Sequence, residues 1–126
     1  MKNLLLAVVV FGSCTSFASA AEPQFAHMVY FTLASESAEN QEKLIAACEK
    51  YLSKHDGEIY FSVGSRAADL KREVNDQGFS VALHIVFENK AAYEKYAPHP
   101  RHEKFIAENK ALWSKVRVFD SYVTKK

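Results

Sequence analysis

Phe79-Ser80-Val81-Ala82-Leu83-His84-Ile85-Val86-Phe87 is the stretch on which the reading of the fold turns. Phe79, Val81, Leu83, Ile85 and Phe87 occupy every second position, which places them on one face of a strand. Ala82 and Val86 keep the opposite face apolar as well, so this strand is expected to sit centrally in its sheet. His84, on that second face, reads as an interface residue rather than a ligand. Working upstream, residues 65–78 are polar and charged and include Asn75-Asp76-Gln77-Gly78, which predicts a loop. Ile59, Phe61 and Val63 alternate with Tyr60 and Ser62 in a strand that closes at Gly64. Before that, Leu44, Ile45, Cys48, Tyr51 and Leu52 form one helical stripe running to Lys54. Ser35 or Ser37 can cap its start, and His55-Asp56-Gly57 stops it, with Gly57 able to take a left-handed end. The first strand spans residues 25–33. Phe25, His27, Val29, Phe31 and Leu33 share one face, and Met28, Tyr30 and Thr32 share the other.

Downstream, Asn89 caps a short helix with Ala92, Tyr93 and Tyr96. Pro98 and Pro100 interrupt it because neither donates a backbone N–H. A second helix is expected from Arg101 to Trp113, through Phe105, Ile106, Asn109 and Leu112. The last strand alternates Val116, Val118 and Asp120 with Arg117, Phe119 and Ser121. The order β, α, β, β, broken α, β predicts an α+β, ferredoxin-like fold: a four-stranded antiparallel sheet with helices on one face. No helix remains for the other face, where Met28, Tyr30, Tyr60 and Phe119 fall. Packing against a second copy in a homodimer would cover it.

The first twenty residues have a different character. Lys2 precedes the apolar run Leu4 to Phe11, and Ala18-Ser19-Ala20 supplies a small-x-small cleavage pattern. The run is shorter than the about 20 residues a membrane-spanning helix needs. Residues 1–20 therefore read as a signal peptide and 21–126 as one mature domain, exported to the periplasm or secreted. Cleavage is expected after Ala20, with Ala21 the next candidate. Phe11-Gly12-Ser13-Cys14 offers the alternative of a lipid anchor at Cys14. Losing Lys2 balances basic and acidic side chains, which leaves no polyphosphate-binding footprint and predicts no nucleic-acid partner. After cleavage only Cys48 remains, so no intramolecular disulfide can form. Its helical spacing with Leu44 and Leu52 marks it as a buried thiol.

The densest polar cluster is Tyr93-Glu94-Lys95-Tyr96-Ala97-Pro98-His99-Pro100-Arg101-His102-Glu103. A histidine can move a proton near neutral pH, and a neighbouring tyrosine can donate a hydrogen bond to a carbonyl. His27 joins them from the inward row of the first strand. The same residues have structural readings. His102 could bond a strand carbonyl and lock the second helix, His99 could cap it, and His27 could be a satisfied core histidine. A metal set of His99, His102, Glu103 and His27 is conceivable from spacing, but Pro100 spoils its helical geometry, and no metal or cofactor is expected.

Several elements together resemble the stress-responsive dimeric α/β-barrel (Dabb) family. They are His27-Met28-Val29, Val63-Gly64, Phe79 to Leu83, Tyr96-Ala97-Pro98-His99-Pro100-Arg101-His102, and Val116-Arg117-Val118-Phe119-Asp120. The resemblance covers about residues 25 to 123. It implies two ferredoxin-like protomers pairing their sheets into one barrel. Family members include plant stress proteins and a plant polyketide (olivetolic acid) cyclase, which closes a poly-β-keto thioester by aldol condensation without metal or organic cofactor. The resemblance implies His102 as base, Tyr96 as its partner, and His27 as a third catalytic candidate. His99, Tyr93 and Phe31 complete the expected ligand pocket. The sequence departs from the cyclase at Ala47-Cys48-Glu49, where the cyclase carries a pocket tyrosine, and in its leader. Three functions remain open: an exported stress-response dimer with a small apolar ligand pocket, a cofactor-independent acid–base enzyme acting on a carbonyl compound, or a structural or protein-interaction module.

Overall fold

The computed structural model describes residues 12–16 and 21–126. The signal-peptide reading therefore lies outside the described residues, apart from the exposed segment 12–16 that carries Cys14. The alternating stretches form β1 (Gln24–Leu33), β2 (Glu58–Ser65), β3 (Val81–Phe87) and β4 (Trp113–Val123). They make one antiparallel sheet in the order β2-β3-β1-β4, so the strand read as central is central. The helices are α1 (Ala38–Leu52), α2 (Lys90–Tyr96) and α3 (Pro100–Asn109), with a 3-10 turn at Lys110–Leu112. Ser37 caps α1 by accepting from the Asn40 N–H, and Asn89 caps α2 by accepting from Ala92. The core lies between helices and sheet. Phe25, Val29, Phe31, Leu44, Cys48, Leu52, Leu83, Ile85, Phe87, Tyr96 and Phe105 are all buried in it.

Five boundaries or orientations differ from expectation. α1 ends at Leu52, not Lys54, and Lys54 itself takes the left-handed conformation, at φ 60°, held by Glu58 accepting from its N–H. Gly57 is also left-handed, at φ 77°, but it forms the turn into β2, where its carbonyl accepts from the Glu88 N–H. A register shift between Glu58 and Tyr60 turns Ile59 out to solvent. Trp113 opens β4 instead of closing a helix, because α3 unwinds through the 3-10 turn. Phe79 precedes β3 and turns to the outer face, where its ring meets Tyr30 edge-on at 4.9 Å.

The outer face is free of helices, as expected, and Tyr60 and Phe119 are exposed on it. One end of it is covered, however, by the loop after β2. Arg66 donates to the carbonyls of Gln77 and Phe79, and Arg117 pairs with Asp76 at 3.0 Å. Between loop and sheet lies a shallow cavity lined by Met28, Tyr30, Leu70, Phe79 and Phe119. Tyr30 reaches His84 there at 3.3 Å. Among the described residues no helix is long and apolar enough to cross a membrane.

Candidate functional site

The inner row of β1 continues across to β4, and this register builds the site. Antiparallel pairing sets His27 opposite Asp120, Val29 opposite Val118, and Phe31 opposite Val116. His27 Nδ1 lies 2.6 Å from Asp120 Oδ1. A carboxylate accepts only, so the proton sits on Nδ1 and the other ring nitrogen, Nε2, is left unengaged.

The helix break supplies the second imidazole. Pro98 and Pro100 end α2 and start α3, and His102 falls in the first turn of α3. Its Nδ1 donates to the Ala97 carbonyl at 2.9 Å. The residue does bond a carbonyl, but that of the break itself rather than of a strand. This fixes the tautomer and leaves Nε2 as a lone-pair base. Burial holds the His102 pKa below the usual histidine value, with the nearby His27 and His55 adding to it, and the Ala97 bond opposing only in part. The ring is therefore neutral at neutral pH, as a base must be.

Tyr96 packs its ring 4.8 Å from that of His102 and 5.9 Å from that of His27. It is 2% exposed, and its hydroxyl has no hydrogen-bond partner among the described residues. Burial pushes its phenol far up, so it stays a donor. Tyr93 stacks on Phe25 at 4.5 Å and lies 5.1 Å from His27. Its phenol is raised by burial and by Asp120. Phe31 sits 5.1 Å from Trp113, which in turn stacks on Phe105 at 5.5 Å.

These side chains enclose one cavity of about 410 Å³. His27, Tyr93, Tyr96 and His102 line one part, and Val29, Phe31, Phe105, Trp113, Val116 and Val118 line the rest. The helices do not reach over β4, so Val116 and Val118 are half in solvent and rim the opening. The arrangement can hold an apolar body while presenting two imidazole lone pairs to a hydroxyl group. It is the size of a small-ligand site.

Five of the six expected residues, His27, Phe31, Tyr93, Tyr96 and His102, meet here. His99 does not. It caps α3 by accepting from the Arg101 N–H at 3.1 Å, and it borders a separate cavity beside His55. The four residues weighed as metal ligands are not gathered: among the described residues no three His, Cys, Asp or Glu side chains lie close enough to hold a metal ion. Asp120 was not singled out from the sequence as a site residue. Its signal was present in the inner row of β4, as an acid among valines, but it acquires meaning only once the β1–β4 register sets it against His27.

A family model described as Stress responsive A/B Barrel Domain matches residues 25–123. The chain belongs to that family. Solved structures resemble it over most of its length. A Dabb-family protein with a ferredoxin-like fold from Mesorhizobium loti is 22% identical, with TM-score 0.67, covering 82% of this chain and 100% of its own. A dimeric ferredoxin-like protein of unknown function from Thermobifida fusca is 13% identical, with TM-score 0.67, covering 81% and 92%. The hydroxynitrile lyase of Passiflora edulis is 19% identical, with TM-score 0.65, covering 85% and 98%. At these identities the likeness establishes the fold, and the site must be argued from its own geometry. No curated protein matches the chain by sequence.

Proposed function

We propose that the mature protein is an exported homodimer that holds a small apolar molecule bearing a hydroxyl group in the cavity between its helices and sheet. The observation that carries this reading is the cavity itself. Its lining is mostly apolar, with Tyr93, Tyr96 and the unengaged Nε2 atoms of His27 and His102 at one part. A ligand hydroxyl would seat between those nitrogens and donate to one of them, and its body would fill the space toward Phe105 and Trp113. Export, to the periplasm or beyond the cell, rests on the leader pattern of residues 1–20, and a stress-related role on the family. The homodimer is supported by the uncovered outer face and by the dimeric Thermobifida fusca protein. The test is His102→Ala, assayed in parallel for thermal stability and for binding of small apolar alcohols. A ligand role predicts lost binding with most stability retained. Stability lower by about 1–3 kcal/mol, in a parent protein that binds no ligand, would favour the structural module.

A second reading is carried by the neutral His102 ring. In it His102 Nε2 abstracts a proton alpha to a carbonyl, and the Tyr96 hydroxyl polarises the oxygen as charge develops. A hydroxynitrile lyase from Passiflora edulis shares the fold, and cyclase-like aldol chemistry on a polyketide would use the same kind of step. Deuterium uptake at the alpha carbon of a bound ketone in heavy water would demonstrate it, and uptake unchanged in His102→Ala would refute it.

A further inference from the structure

We propose that the small cavity on the other side of Tyr96 is a binding site for a phosphate-type dianion, separate from the cavity holding His102. It measures about 220 Å³ and lies where the ends of α1 and α2 meet the start of α3. Lys54, Lys95 and Arg101 border it, against one carboxylate, Asp56. Elsewhere Lys43, Lys90, Lys104 and Arg117 each pair with a carboxylate. Among the described residues none of the three cations at this cavity has such a partner.

Part of the cluster has a structural task, and removing that part sharpens the rest. Arg101 donates to the Lys50 and Ser53 carbonyls, and His55 Nε2 donates to the Tyr51 carbonyl. Those bonds satisfy carbonyls at the end of α1. Glu58, in the turn that follows, is engaged by the Lys54 and His55 N–H groups. What remains is a set of unused donors. Lys54 and Lys95 contribute ammonium groups. His99 accepts at Nδ1 from the Arg101 N–H, so its proton is on Nε2, and that nitrogen is left to donate. The Tyr96 hydroxyl is a buried donor without a partner, on a residue that borders this cavity as well as the larger one. Two ammonium groups and an imidazole N–H suit the several oxygens of a phosphate. Burial, Arg101 and His99 hold His55 below the usual histidine pKa, a shift that an anion seated beside it would oppose.

The test is titration of the mature protein with inorganic phosphate, and in a second arm with methyl phosphate, at fixed pH and ionic strength. The ring signals of all five histidines are followed by NMR. Saturable shifts at His55 and His99, with His27 and His102 unmoved, are expected. Tighter binding of the ester would identify a phosphorylated small molecule, and tighter binding of inorganic phosphate the free ion. Lys95→Gln, on the exposed side of α2, should weaken either by about tenfold. Lys54→Gly should weaken it similarly while relieving the left-handed backbone strain. Shifts that fail to saturate, or equal affinity in the parent and in Lys95→Gln, would overturn the proposal.

Discussion

At the level of single residues, the imidazoles govern pH behaviour. His102 and His55 are both held below the ordinary histidine pKa, chiefly by burial. The unfolded chain therefore takes up protons before the folded one does. Their contribution to stability is complete above about pH 6.5 and is lost as pH falls toward their folded values. Urea melts should show stability rising with pH through this window, and a flat or falling profile would contradict the neutral-ring assignment. Cys48 gives a second check. Burial, with a smaller push from Glu49, raises its thiol to about 12. It should resist a thiol reagent in the native protein and react on unfolding; native reaction at the unfolded rate would show it exposed. Much of the site was legible because its residues cluster in one proline-bounded segment or alternate along β1. His99 was misplaced because spacing alone cannot tell which side of a helix break a ring leaves by. Its capping bond to the Arg101 N–H decides that.

The elements were legible wherever hydrophobic period and caps agree, as in β1, β3, α1 and α2. They were illegible where tertiary contacts override local pattern. Phe79 matches the β3 row in sequence, yet the loop that Arg66 gathers carries its ring to the outer face. Trp113 fits a helical stripe, yet β4 takes it as a neighbour of Leu33. Gly57 shows how tightly one junction is drawn. Besides its positive φ, a Cβ there would come within 2.5 Å of the Ala92 Cβ. Gly57→Ala should therefore destabilise by about 2–4 kcal/mol, combining left-handed strain with a clash against α2. Gly64→Ala, where nothing lies within 4 Å, is the control and should change little. Equal denaturant midpoints for the two variants would contradict this account of the β2–α2 junction.

At the scale of the whole molecule, the uncovered sheet face and the inner cavity make separate claims. Sedimentation of the mature protein at micromolar concentration should give a dimer, and Tyr30→Glu should weaken it by burying an unpaired carboxylate. A well-folded monomer of the parent would end the barrel-dimer reading. Intact mass of protein from the native host should begin near Ala21, and an acylated Cys14 terminus would indicate the lipoprotein route instead. The inner cavity carries the functional claim, and the chain supplies its own reporter. Trp113 is the single tryptophan and lines that cavity. Its emission should therefore change saturably when the mature protein is titrated with a medium-chain alcohol, and the change should be lost or strongly weakened in His102→Ala. Emission that stays constant for the parent, or that saturates identically in His102→Ala, would contradict a ligand seated between the two imidazoles.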